Sequence, residues 1–276
     1  MDTQPAFSAA LLERIAAALE RLAPPTQPFA LEGAERFVWR PATRRLEPVS
    51  LGRAVPLALL KGVEDQRDAL LANTEAFAAG RAANHALLWG ARGTGKSALV
   101  KAVAAAVAGV KLVEVPATAL ADAPALVETL AGSQCRVILY LDDLALEPGE
   151  AALRALKPAL DGGLSAGKEN VVIYATANRR HIVGGARSDA RSDPTAADTE
   201  QERLSLSDRF GLWLGFHPVD QATYLEIVFS YAAHFGLADD PETLRAEALS
   251  WAMGRGARSG RTAWQFITAR RAVAQG

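Results

Sequence analysis

The sequence predicts an α/β chain built on a mostly parallel sheet. Two observations carry this reading. Five short apolar segments, at 86–89, 111–115, 137–141, 171–175 and 212–216, alternate with helical or loop stretches, and after His217 the pattern is helical to the end. Strands that alternate with helices are joined by right-handed crossovers, which places helices on both faces of a parallel sheet. With 276 residues, half of them apolar, the chain can bury a sizeable core without disulfides or metals.

Leu11, Leu12, Ile15, Leu19 and Leu22 recur at helical spacing, so residues 8–22 read as an amphipathic helix that Pro24, Pro25 and Pro28 stop. Between 29 and 50 the pattern is mixed. Phe37 and Trp39 form either a short strand or an anchor for this arm on the main domain, and the anchor is the preferred reading. Residues 64–79 read as a helix closed by Gly80. The stretch 184–202 lacks large apolar residues and is rich in Gly, Ser, Asp and Arg, the signature of a mobile surface loop. Asp239, Asp240 and Pro241 mark a helix start near the C-terminus. The expected division is an N-terminal helical arm at 1–55, an α/β core at 56–217 and a helical lid at 218–276.

Thirty basic residues against 31 acidic ones leave no global field to draw the chain onto nucleic acid or an anionic membrane. The single cysteine, Cys135, can form neither an internal disulfide nor a thiolate metal site, which fits a reducing, cytoplasmic setting; its place before an apolar strand suggests a buried thiol. The N-terminal apolar stretch is broken by Glu13, Arg14, Glu20 and Arg21, unlike a signal peptide. No window approaches the ~18 apolar residues of a membrane span, so no membrane partner is expected.

The chemistry concentrates after the first apolar strand. Gly90, Ala91, Arg92, Gly93, Thr94, Gly95, Lys96 and Ser97 match the phosphate-binding loop pattern, preceded by ALLW and followed by the helical run ALVKAVAAAVAG. Glycines let backbone N–H groups curl around phosphates, and the helix that follows presents its positive end to the anion. Lys96 is expected at the β and γ phosphates and Ser97 at Mg2+. The run 137–141 reads as a buried parallel strand that ends in Asp142 and Asp143, where open α/β sheets bind their ligands. Asp142 is the expected magnesium-sphere carboxylate, so the cofactors are ATP and Mg2+.

The remaining landmarks resemble those of AAA+ ATPases, in their usual chain order. Asp143 stands where most such proteins carry a glutamate that polarises the attacking water, with Glu147 as reserve. Asn178, at the end of VVIYATAN, resembles the polar sensor residue beside the γ-phosphate, with Thr176 as lesser candidate. Arg209 precedes the last strand, the place of an arginine finger offered to a neighbouring subunit. Arg258 resembles the sensor at the start of a lid helix.

More narrowly, GVEDQR, LLWGARGTGKSALVKA, YLDDLALE, ATANRRHIV, LSLSDRFGLWLGF and GARSGRTAWQFI resemble a bacterial AAA+ family known as domain of unknown function 815. The resemblance implies a five-stranded P-loop NTPase core with a C-terminal helical lid, and an adenine pocket near Gly62, Val63 and Gln66. It implies no substrate.

The expected function is ATP binding and Mg-dependent hydrolysis that drives a conformational cycle of a homo-oligomer on an unknown protein client. The alternative is a slowly hydrolysing, ATP-switched loader or adaptor for a protein or DNA partner, which the shorter Asp143 favours. Residues 116–125 contain no aromatic, which argues against a threading pore loop. Nucleic acid stays an unsupported partner: residues 178–209 carry six arginines against six acids, and only the C-terminal part is basic. A small-molecule P-loop kinase is a third reading, to which the Asn178 and Arg209 pattern is foreign.

Overall fold

A computed structural model describes residues 9–22, 31–50, 55–144, 156–157, 159–160, 169–178, 208–237 and 240–274. The 184–202 stretch and Glu147 lie outside them. The chain forms two units, residues 1–30 and 31–276. In the first, α1 (Ala9–Leu22) is the expected amphipathic helix, with Leu11 and Ile15 over 40% exposed.

The second unit is organised on a seven-stranded sheet. Its strands are β1 (Arg36–Arg40), β2 (Arg45–Pro48), β3 (Ala86–Gly90), β4 (Val110–Val115), β5 (Arg136–Leu141), β6 (Val171–Asn178) and β7 (Leu212–Phe216). The order across the sheet is β2-β1-β4-β5-β6-β3-β7. The five parallel strands β3 to β7 are those expected from the apolar runs. The expected count of five is corrected to seven by a hairpin, β1–β2, which continues the sheet through a parallel pairing of β1 with β4. Phe37 and Trp39 lie on one side of β1, 2% and 3% exposed, and the Trp39 indole N–H donates to Asp122 Oδ2 at 2.8 Å. These two residues therefore anchor the segment by being a strand, and residues 36–48 belong to the sheet.

Helices α2 (Glu64–Ala78) and α3 (Lys96–Ala106) pack together over one face of the sheet. Leu70, Phe77, Leu99 and Val103 meet Leu88, Ile138, Tyr140 and Tyr174 there. Residues of the opposite parity, Val113, Leu139 and Ile173, are equally buried, and α4 (Ala123–Ala131) packs over β6. Burial on both faces is why these strands read as continuous apolar runs. Glu64 and Asp65 place negative charge in the first turn of α2, and Gly80 N–H bonds Phe77 O as that helix ends. Cys135 is half-buried, a correction to the buried thiol expected, and its carbonyl accepts from Asn170 Nδ2 at 3.0 Å.

Beyond the sheet come α5 (Gln221–His234), α6 (Pro241–Arg255) and α7 (Gly260–Ala274). The Asp220 carboxylate accepts from Thr223 N and that of Asp240 from Thr243 N, so both helices start at side-chain caps. The three helices enclose their own core of Tyr224, Val228, Ala248 and Ile267, which Leu59 joins from the segment before α2. Among the described residues no helix is long and apolar enough to cross a membrane.

Candidate functional site

The loop between β3 and α3 is shaped by backbone geometry. Gly90 adopts φ +139°, and a Cβ there would overlap the Phe216 carbonyl at the end of β7. Ala91 N–H donates to that same carbonyl at 3.2 Å, which fixes where the loop leaves the sheet. Gly95 caps α3 with φ +102°, a conformation disfavoured for residues with a Cβ, and Leu99 N–H closes the first helical bond onto Gly95 O at 2.7 Å. The free N–H groups of the first turn of α3 thus form the end of a helix dipole.

Lys96 is 7% exposed, and its ammonium donates to Gly90 O at 3.0 Å and Ala91 O at 2.7 Å. An ammonium has three donors, so one remains for an anion. Burial pushes the Lys96 pKa below its ordinary value; Asp143 and Asp142 oppose that shift, while Arg92 and Arg261 reinforce it. Thr94 Oγ1 ties the loop to itself through Ala91 O at 2.8 Å.

Strand β5 delivers the carboxylates. Asp142 Oδ1 accepts three hydroxyls: Tyr140 at 2.6 Å, Thr176 at 2.7 Å and Ser97 at 2.8 Å. Burial works against ionisation of Asp142, but these donors, with Lys101 adding its charge, outweigh it and hold the carboxyl below its usual range. Burial first, then the charge of Asp142, raises the Tyr140 pKa, so the phenol stays a donor. Asp143 follows with φ +55°; its N–H donates to Thr176 Oγ1 at 2.9 Å. Asn178 Nδ2 donates to Asp143 Oδ1, and Arg92 Nη2 lies 3.7 Å from Asp143 Oδ2. Both groups of that last pair are largely exposed, so the pair contributes little to stability.

These residues share a cavity of about 510 Å³. Arg92 to Ser97, Asp142, Asp143, Thr176 and Asn178 form its polar end, and Val55, Leu59, Leu60, Val63, Ile227 and Tyr231 its apolar end. Its size and its split between apolar wall and few polar groups suit a small-molecule ligand. Arg261 and Trp264 of α7 complete the wall. That helix begins against the loop itself: Arg261 N–H donates to Gly93 O at 3.4 Å, and a Cβ on Gly93 would stand 3.0 Å from Ser259 Oγ.

The same end of the cavity carries donors for a divalent cation. Among the described residues no group of three or more His, Cys, Asp or Glu side chains could hold a metal alone. One hydroxyl and one carboxylate in contact fit a hard cation that keeps its waters and takes phosphate oxygens, as Mg2+ does.

The structure therefore brings together Gly90 to Ser97, Asp142, Asp143, Asn178 and Val63. It does not bring Gln66, Gly62, Arg258 or Arg209 to the cavity wall. The Gln66 amide donates to Gly215 O at 2.9 Å, bracing α2 on β7, and Gly62 N–H is bonded to Glu64 Oε1 at 3.0 Å. Arg258 is exposed in the connection before α7, and Arg261, one turn on, faces the cavity instead. Arg209 sits half-buried in the turn before β7. Tyr140 is a site residue that sequence reasoning misses, although its place two residues before Asp142 puts both on one side of a strand. Trp264 is 38% exposed and lines the cavity.

A family model described as "Protein of unknown function (DUF815)" matches residues 32–273. No curated protein matches the sequence. Among solved structures, the Aeropyrum pernix Orc1 protein in complex with DNA is similar with a TM-score of 0.55 and 18% identity, over 82% of this chain and 67% of that one. A variant of Thermotoga maritima RuvB aligns with a TM-score of 0.49 and 15% identity, over 78% of this chain and 71% of that one. At these identities the likeness concerns the fold alone.

Proposed function

The chain belongs to the DUF815 family, its fold is that of the AAA+ P-loop NTPases, and we propose that it binds Mg-ATP and hydrolyses it to drive a conformational cycle. The observation that carries this reading is the convergence of the α3 N-terminus and Lys96 with the Ser97–Asp142 contact in one cavity that α7 closes. In this reading residues 56–217 carry the nucleotide and 218–276 act as the lid, while of the arm expected at 1–55 residues 36–48 belong to the sheet of the nucleotide-binding core.

Backbone N–H groups from Gly93 to Ser97 and the Lys96 ammonium hold the β and γ phosphates. Ser97 and Asp142, whose hydroxyl and carboxylate are in contact at 2.8 Å, would hold Mg2+, which when bound would supply charge neutralisation at the phosphates. Asp143 orients the attacking water for in-line displacement and Asn178 holds that carboxylate in place; Glu147 is the reserve for the same task. Arg209 acts on the site of a neighbouring subunit in a homo-oligomer, and Arg261 takes the phosphate-sensing role expected of Arg258. The base lies toward Val63 and the apolar end, with Gly62 shaping the turn and Gln66 bracing it from behind. The client is a protein partner.

A second reading, a slowly hydrolysing ATP-switched module, is favoured by one feature: the two Asp143 oxygens are engaged separately, by Asn178 and by Arg92. The experiment that separates the two is phosphate release from Mg-ATP over a wide range of protein concentration, beside Lys96→Ala. Turnover per subunit that rises with concentration and vanishes in the variant supports the assembled ATPase. Tight Mg-ATP binding without release supports the switch, and ATP binding that survives Lys96→Ala unchanged overturns both.

A further inference from the structure

At the apolar end of the nucleotide cavity one buried polar side chain is left without a partner. Tyr231 of α5 lines this end beside Ile227, one turn earlier on the same face of the helix. The residue is only 5% exposed, yet its hydroxyl makes no hydrogen bond among the described residues. The other three of the chain's four tyrosines, Tyr140, Tyr174 and Tyr224, are bonded to Asp142, Thr74 and the Ala248 carbonyl respectively. Buried hydroxyls almost always have such a partner, so Tyr231 stands out. Its hydroxyl keeps accessible surface, and the ring that carries it lines the cavity. Burial raises its pKa, so the phenol keeps its proton and can both donate and accept.

Trp264 of α7 stands next to it, the ring centres 5.3 Å apart and the planes at 83°, and Phe235 meets the same indole at 5.6 Å. These two neighbours fix the orientation of the indole, while 38% of Trp264 stays open on the cavity wall. Trp264 follows Arg261 by one turn, so one face of α7 presents first a cation and then an aromatic ring to the cavity. The segment before the sheet offers little to read a base. The Gln66 amide is bonded to Gly215 O, and Gly62 N–H to Glu64 Oε1. Lys61, half-buried on the wall between Leu60 and Val63, is a hydrated point charge with no ring face to offer.

We infer that helices α5 and α7 select the base of the nucleotide: Trp264 lies against the face of the base, the Tyr231 hydroxyl bonds its edge, and a purine is favoured. A two-ring base gives Trp264 more surface to stack on than a pyrimidine does. The inference rests on the nucleotide reading proposed above, and adds to it the residues that set specificity.

The test is calorimetric titration of the full chain with Mg-ATP, Mg-UTP and Mg-tripolyphosphate, the last a phosphate chain without a base. ATP is expected to bind about tenfold or more tightly than either of the others. Tyr231→Phe, which keeps the ring and its packing, weakens ATP about three- to tenfold, and Trp264→Leu weakens it about tenfold. Neither variant changes the affinity for tripolyphosphate, which a merely structural role would lower alike. The inference is overturned if Tyr231→Phe binds ATP as tightly as the parent, if the variants weaken tripolyphosphate as much as ATP, or if Lys61→Met instead removes the preference for ATP. Failure of all three ligands to bind the parent chain overturns the nucleotide reading itself, so the two failures are told apart.

Discussion

Acid should loosen the sheet at one identifiable point. His85 lies just before β3; its Nδ1 accepts from Ile173 N–H at 3.0 Å, and its carbonyl accepts from Leu212 N–H at 3.1 Å, so it ties β6 and β7 to the base of the strand that leads into the phosphate loop. Burial lowers its pKa from 6.5 to about 4. The unfolded chain therefore takes up the proton first: His85 stabilises the fold fully above pH 6.5 and loses that contribution as pH falls toward about 4. With about 1.4 kcal/mol for each tenfold change in proton affinity, the loss reaches ~3 kcal/mol in full and ~2 kcal/mol between pH 7 and 5. These are upper figures, because the ring keeps partial contact with solvent. The control is His85→Asn, whose amide oxygen can accept from Ile173 N–H but does not titrate. Urea unfolding followed by circular dichroism at pH 7, 6 and 5 should show the parent chain losing ~2 kcal/mol more than the variant over that range. Equal losses in the two chains would refute a buried neutral imidazole as the acid-sensitive group.

Tyr140→Phe removes one of three donors to Asp142 Oδ1; a hydrogen bond to a charged group contributes about 1.5–3 kcal/mol, so the Mg2+ concentration for half-maximal nucleotide binding should rise about tenfold or more. An unchanged Mg2+ requirement would show that Ser97 and Thr176 orient the carboxylate unaided. Arg261→Ala should weaken ATP binding more than Arg258→Ala in a titration of labelled nucleotide, since only Arg261 lines the cavity; the reverse order would return the sensing role to Arg258.

What the sequence discloses and what it conceals divide along physical lines. The P-loop, Asp142 and the five parallel strands depend on local order, a glycine pattern in one turn or an unbroken apolar run, and both survive in a linear reading. Strand β1 does not, because in RFVWR arginines flank the two inward aromatics and its pairing partner, β4, lies some 75 residues on. Gln66, expected at the adenine, instead bonds Gly215, 149 residues away, and no local signal announces a brace of that range. The expectation for Arg258 fails for a smaller reason. Helix α7 begins at Gly260, so Arg261 falls in its first turn while Arg258 stays in the connection, and a helix start is legible only to within a residue or two. Tyr140 is concealed by its company, an aromatic among aliphatic neighbours whose hydroxyl has meaning only once Asp142 is placed beside it.

The touch between Gly93 O and the first turn of α7 has a thermodynamic corollary. Whatever reshapes the loop carbonyls must alter the free energy with which α7 starts against them, with no intervening wire of side chains to carry the message. Linkage makes the relation mutual: if an anion in the loop changed the affinity of α7 for another molecule by a given factor, that molecule would change the affinity of the loop for the anion by the same factor. The contact from Gly93 to Arg261 thus joins the free energies of a glycine loop and a helix start through one backbone bond.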